Sequence, residues 1–424
     1  AMRVRLTALF IASMALATAT AQTPWDGTAD QPTTGDGESW ATAIEISTAE
    51  QLHYLALHPA DYAGKYLVQT ADIDLGGTFD SDGRPNGKLW IPIGNYVQGI
   101  FVGHYDGRGH KISNMHIDWW AEITNTARWT AAGTCEGSGV GLFGAFGGTV
   151  KNLVVEDAYI ANLTHHNGTT AQNTIANTRA LKIGVLAGIV SRWTANLSGG
   201  AVLPAGVVLP TASRVENIIV RGSQINSYNT RDNKTDWVRS IMIGGLIGDI
   251  NSSNINGADN ITDGQYTVRN AYVGVDVDFD NTGRGSSVGS SQETQYNIGG
   301  ILGRIRKGVG TTVPRNVFFE GKIKAPLAAI GPVYSMSRSN AGSTFAGGFL
   351  PAYVGEPMSG TASLITDEGK YFGNYRIWHA TDAEYKTITN YYPSKSNTYG
   401  SSGIRTLAKP DDTGFDRTVP AQMM

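Results

Sequence analysis

Cysteine is nearly absent: Cys135 is the only one in 424 residues, so no disulfide can form within the chain and stability must come from packing. Charge is scarce as well. Asp, Glu, Lys and Arg make up 16% of the sequence, too little to clothe long surface helices, while 53 glycines favour turn-rich β structure. No basic excess exists either. A formal net charge of -3, with no local run of Lys or Arg, excludes nucleic acid as a partner. Long apolar runs are missing: the stretch from Leu6 to Leu16 falls short of the roughly 20 residues needed to cross a bilayer, and no later stretch comes closer. The chain is therefore not expected to span a membrane.

What is present begins with a targeting pattern. Arg3 and Arg5 precede the apolar run, and Ala19-Thr20-Ala21 fits a small-residue cleavage site, so residues 1–21 read as a signal peptide and the protein as exported. No cysteine stands at the cleavage point, which argues against a lipid anchor there. Residues 22–39, rich in Gly, Thr, Asp and Pro without apolar period, are expected to form a flexible lead-in. From Ser47 to Ala56 the chain opens with capping residues and then places Leu52, Leu55 and Ala56 on one helical face. A short helix followed by a strand at Tyr66 to Val68 suits an N-terminal cap over residues 40–75, covering the first open end of a repetitive stack.

Two patterns then alternate along the chain. One is a glycine-bounded apolar stretch that closes on Gly144, Gly188, Gly248 and Gly303; the other is Asn followed by apolar residues, at Asn114, Asn152, Asn217, Asn270 and Asn316. Each repeat offers a strand with too little apolar surface to fold alone, but strands stacked about 4.8 Å apart share a continuous interior. Glycine suits the sharp corners, or points where two backbones approach closely. Asparagine tolerates the left-handed region, and its amide can bond the equivalent amide one repeat away, so a stacked ladder is expected for Asn152, Asn217, Asn270 and Asn316. Successive Asn positions are 38, 65, 53 and 46 residues apart, so the surplus must leave as polar loops.

These residues carry a resemblance to bacterial surface proteins with the GLUG motif. A leader block supplies part of it: Ala49-Glu50-Gln51-Leu52, Tyr66-Leu67-Val68, Asp72-Ile73-Asp74-Leu75 and Trp90-Ile91-Pro92-Ile93-Gly94. The rest is Phe101 to Ile112 followed by Gly141-Leu142-Phe143-Gly144, with looser later copies; Gly184 to Gly188 departs from the compact spacing. The resemblance covers about residues 40–325. It implies an all-β fold: a right-handed parallel β-helix, a solenoid over residues 76–340, with the short helix-containing N-terminal cap. A small C-terminal β cap or appendage is expected over residues 341–424, where tyrosines become dense and the Asn repeats stop. A further domain of longer relatives could follow. The resemblance also implies a secreted or outer cell-surface location in a bacterium and a role in adhesion or binding, with a glycan or a surface protein as partner. GLUG repeats also accompany metallopeptidases, but no His-Glu-x-x-His occurs here, so that activity is not carried over.

Parallel β-helices also host polysaccharide lyases and glycoside hydrolases, which makes such an enzyme the alternative reading, by fold analogy. In Asp276-Val277-Asp278-Phe279-Asp280 the alternation puts three carboxylates on one face and Val277 and Phe279 inward. A solvated outer face is the plainer reading; a Ca²⁺ site is the sharper one, and Ca²⁺ is the only candidate cofactor. Asp80 and Asp82, in an oxygen-rich loop, form a second candidate, though the glycine spacing is wrong for an EF-hand. Arg304 and Arg306 flank Ile305 and read as an exposed strand face, and His104 and His110 as turn or packing residues rather than an acid-base pair. Trp119, Trp120 and Trp129, in or beside a polar loop, are the candidate ligand-binding residues, since exposed indoles offer flat faces to sugar rings. No catalytic residues are assigned.

Overall fold

Strands pair mainly with the strand one repeat away. A computed structural model describes residues 25–81, 85–94, 100–118, 138–163, 180–191, 210, 212–228, 240–251, 266–280, 295–305, 315–324, 371–378 and 386–389. The fold is all-β, mostly strands in parallel sheets with few helices. A 13-stranded sheet contains Ile44–Ile46, Tyr66–Gln69, His104–Asp106, Thr149–Glu156, Ser213–Tyr228, Tyr266–Asp280, Arg315–Lys324 and Tyr371–Trp378, and ends on the antiparallel strand Lys386–Thr389. Two 4-stranded parallel sheets hold the glycine-bounded segments: Phe143–Phe146, Ala187–Ser191, Ile247–Asn251 and Leu302–Ile305 in one, and Ser138–Val140, Ala180–Ile183, Ser240–Gly244 and Gln295–Gly299 in the other.

Register explains why these short apolar runs suffice. Tyr105, Val150, Val215 and Val268 are backbone partners in turn, as are Ile112, Val155, Val220 and Val273, and all are buried. Each such side chain contributes about 1.5–3 kcal/mol only when its neighbours along the row also exclude water. One continuous cluster therefore runs from Trp25 to Leu302. Along Tyr266–Asp280, Val275, Val277 and Phe279 are buried while Asp276 and Asp278 are half-buried, the period-2 pattern read from the sequence.

The helix Ala49–Leu57 forms as its sequence directs. Thr48 caps it, accepting from Gln51 N at 3.2 Å; the Gln51 side chain reaches back to accept from Ser47 N at 2.8 Å. Its buried face, Leu52, Leu55 and Ala56, joins the core beside Ile46 and Leu67. Where the sequence points to a flexible lead-in, the chain is anchored. Trp25 is 4% exposed, meets Trp90 edge-on at 5.8 Å and donates its indole N–H to Thr28 O at 2.9 Å. A lone tryptophan among polar residues has no periodicity to announce its burial. Residues 1–21 lie outside the described residues.

The asparagines occupy corners with left-handed backbone: φ is 53° at Asn152, 56° at Asn217 and 54° at Asn270. Asn217 donates to Asn152 Oδ1 at 2.8 Å and Asn270 to Asn217 Oδ1 at 3.0 Å, so the expected ladder exists. It starts on an acid: Asn152 donates to Asp106 Oδ1 at 2.9 Å. Asn114 does not belong to this row. Its φ of 54° matches Asp157 and Gly222 at a second corner, and it donates to Asp74 Oδ1 at 2.9 Å. The same residue type serves both corners because each needs a left-handed residue, and type alone does not separate them. The strand Arg315–Lys324 brings Asn316 opposite Asn270, with its side chain outside the described set.

Of the two readings of the bounding glycines, sharp corner or close backbone approach, the second holds. Gly144, Gly188, Gly248 and Gly303 lie inside strands, and none is among the left-handed glycines. They are required by close approach. A Cβ on Gly248 would stand 2.5 Å from Ile183 N and 2.8 Å from Lys182 C, and one on Gly188 would overlap Val140 N and Gly139 Cα. The chain bends after Val140, Ile183, Ile243 and Ile298, and the two 4-stranded sheets press backbone against backbone. Register also reverses the status of the copies. Gly184 to Gly188 aligns with Gly244 to Gly248 and Gly299 to Gly303, so Gly141 to Gly144 is the copy that is one residue short.

Candidate functional site

The outward positions of the first strand in each repeat build the most distinctive surface. Tyr66, His104, Thr149 and Arg214 are successive register partners, each one residue before an inward Leu67, Tyr105, Val150 or Val215. The 3₁₀ turn Trp40–Thr42, capped by Ser39, sets Trp40 against this row. Trp40 and Tyr66 meet edge-on at 4.8 Å, Tyr66 stacks on His104 at 4.5 Å and 21°, and Lys151 Nζ lies 4.3 Å from the Trp40 ring centre. Lys151 also pairs with Asp106 at 3.2 Å. The next outward row alternates in sign, Asp106, Lys151, Glu216 and Arg269, with Arg269 on Glu216 at 2.9 Å. Such half-exposed pairs are worth about 0–1 kcal/mol each and chiefly fix side-chain positions.

Burial holds His104 below the ordinary imidazole pKa, and the nearby Lys151 and Arg214 push it further down. His116, 3% exposed between Phe79 and Tyr159, is lowered by burial, with a hydrogen bond to the Thr78 backbone partly opposing. Both imidazoles therefore take up a proton less readily when folded than in the unfolded chain, which protonates them near pH 6.5. Their contribution to stability is complete above that value and is lost as pH falls below it. The urea midpoint should hold near pH 7 and decline toward about pH 5, and His104→Gln with His116→Gln should flatten that decline. An unchanged slope in the double variant would refute this origin.

His110 Nδ1 lies 3.3 Å from Asp72 Oδ1, which also accepts from Lys111 N at 3.1 Å, so it braces a turn. Asp276 and Asp278 share an outward face opposite Gln224 and Asn226, and the Asp280 side chain lies outside the described set. Alternate residues on a strand stand about 7 Å apart, so two such carboxylates need further ligands from elsewhere to enclose Ca²⁺. Among the described residues no group of three or more His, Cys, Asp or Glu could hold a metal ion. Asp80 is exposed in the loop after Thr78–Phe79, and Asp82 lies outside the described residues. Trp119, Trp120 and Trp129 also lie outside them. The backbone of Arg304 pairs with that of Asp249, which is fully buried, while the Arg304 side chain and Arg306 lie outside the described set. Trp40, Tyr66, Lys151 and Arg214 were not legible as a site; the available signal was the outward phase of the first strand in each repeat.

No family model matches the chain. A stretch of 171 residues, 40% of the chain, is 26% identical to halomucin of Haloquadratum walsbyi and spans 2% of that protein's length. Among solved structures, a Bacteroides ovatus protein provisionally named an immunoglobulin A1 protease aligns over 74% of this chain and 86% of its own, at 14% identity and a TM-score of 0.32. Among the described residues no helix is long and apolar enough to cross a membrane.

Proposed function

We propose that the protein is a GLUG-type, right-handed parallel β-helix that acts as a non-catalytic binding or adhesion scaffold, secreted or held at the cell surface. The observation that carries this reading is the in-register stacking of equivalent strands from Tyr66–Gln69 to Tyr371–Trp378, with chain surplus leaving between them. Such a stack grows by repetition and presents long faces and loops for contact. Right-handedness is the sense that twisted strands prefer in parallel crossovers. The helix Ala49–Leu57 serves as the N-terminal cap, and the antiparallel strand Lys386–Thr389 supports a C-terminal one. Export rests on the pattern in residues 1–21, and adhesion on the resemblance to GLUG-motif surface proteins. The test screens the full chain against glycan and matrix-protein arrays, with a reducing-sugar release assay in parallel. Saturable binding without release is the expected result; sugar release would overturn the non-catalytic reading, and binding to nothing on either array would overturn the scaffold reading.

A further inference from the structure

The geometry points to a saccharide subsite on the outward row of the first strands, formed by Trp40, Tyr66, His104, Thr149, Lys151 and Arg214, that takes a sugar bearing a carboxylate. The assignment rests on the binding reading above. Tyr66 and His104 stack at 21° with Trp40 edge-on beside them, giving a half-exposed aromatic wall. Arg214 is two strands further along the same row, about 9–10 Å from His104 at the usual strand spacing. Between them stands Thr149, whose small side chain leaves a step one strand wide floored by a hydroxyl. A pyranose ring can lay its C–H face on the aromatic wall while Thr149 meets a ring hydroxyl.

Charge selects the sugar. Arg214 is exposed and has no ion pair among the described residues, whereas Lys151 is already matched by Asp106 at 3.2 Å. At the open end of the step the Arg214 guanidinium is therefore unmatched among the described residues, and its planar fork fits a carboxylate in two parallel hydrogen bonds. Burial is the main cause of the lowered His104 pKa, and Lys151 and Arg214 add to it in the same direction. A neutral sugar would keep the stacking and forfeit the ion pair.

The test uses the full chain and calorimetric titration with hyaluronan tetrasaccharide, which carries carboxylates, and with neutral chitotetraose. The acidic sugar should bind at least about tenfold more tightly, the factor expected of a charge-assisted pair. Arg214→Gln should erase that preference, bringing the hyaluronan tetrasaccharide affinity down to that of chitotetraose. Thr149→Tyr, which fills the step and removes the hydroxyl at its floor, should abolish both at an unaltered melting temperature. Equal binding of the two sugars, or an acidic preference that survives Arg214→Gln, would overturn the assignment. Array ligands bound by a chain that ignores the tetrasaccharide would also overturn this subsite while leaving the scaffold reading intact; a chain that binds neither would sink both.

Discussion

Asn217→Val should lower the unfolding free energy by about 3–4 kcal/mol, because two independent losses coincide at one residue. The backbone there has φ 56°, which costs a residue other than glycine roughly 1–2 kcal/mol and is worst for a β-branched side chain. Asparagine offsets that cost by bonding in both directions, donating to Asn152 at 2.8 Å and accepting from Asn270 at 3.0 Å, and valine does neither. Each lost bond is worth about 1 kcal/mol net, more where the orphaned amide stays away from water. Companion variants separate the contributions. Gly accepts the left-handed corner but breaks the ladder, so Asn217→Gly should cost about half as much. Asn217→Asp keeps the acceptor for Asn270 and loses only the donor to Asn152; the chain already uses this device at Asp106, where the ladder starts. Urea midpoints ordered Val below Gly below Asp below wild type are expected. If the Val and Gly variants coincide, backbone strain is not part of the cost.

Gly248→Ala should be at least as damaging, about 3 kcal/mol or more, although it adds a single methyl group. Its Cβ would stand 2.5 Å from Ile183 N, with Gly188 O and Lys182 C at 2.8 Å. All three are backbone atoms of paired strands, so relief requires the two 4-stranded sheets to move apart and break the pressed contact along neighbouring repeats. Gly274→Ala is the control. That Cβ would meet its nearest atoms, among them Val220 O, at 3.3 Å, and a shift of a few tenths of an ångström should hold the cost below about 1 kcal/mol. Thermal melting of both variants decides the matter. Equal melting temperatures would show that the sheets can slide apart cheaply, against the close-approach account.

Whatever depends on spacing within one strand or one turn was legible beforehand. Thr48 before Leu52, Leu55 and Ala56 announces a capped helix with one apolar face, and Val277 and Phe279 between aspartates announce a half-buried strand, since side-chain direction follows backbone period. The ladder through Asn152, Asn217 and Asn270 was legible for the same reason: a residue suited to a left-handed corner and recurring before apolar runs has one economical use. What depends on register was not. Asn114 shares residue type and local context with the ladder yet serves another corner, and the bounding glycines fit a turn or a close approach equally until a second sheet is laid against them. Trp40, Tyr66, His104, Lys151 and Arg214 are scattered over more than 170 positions and become neighbours only when repeats of unequal length align. Periodicity is a property of the local chain, so composition and pattern determined that this protein is built of stacked strands. Which side chains share a surface depends on how much chain leaves between strands, and only the tertiary pairing decided that.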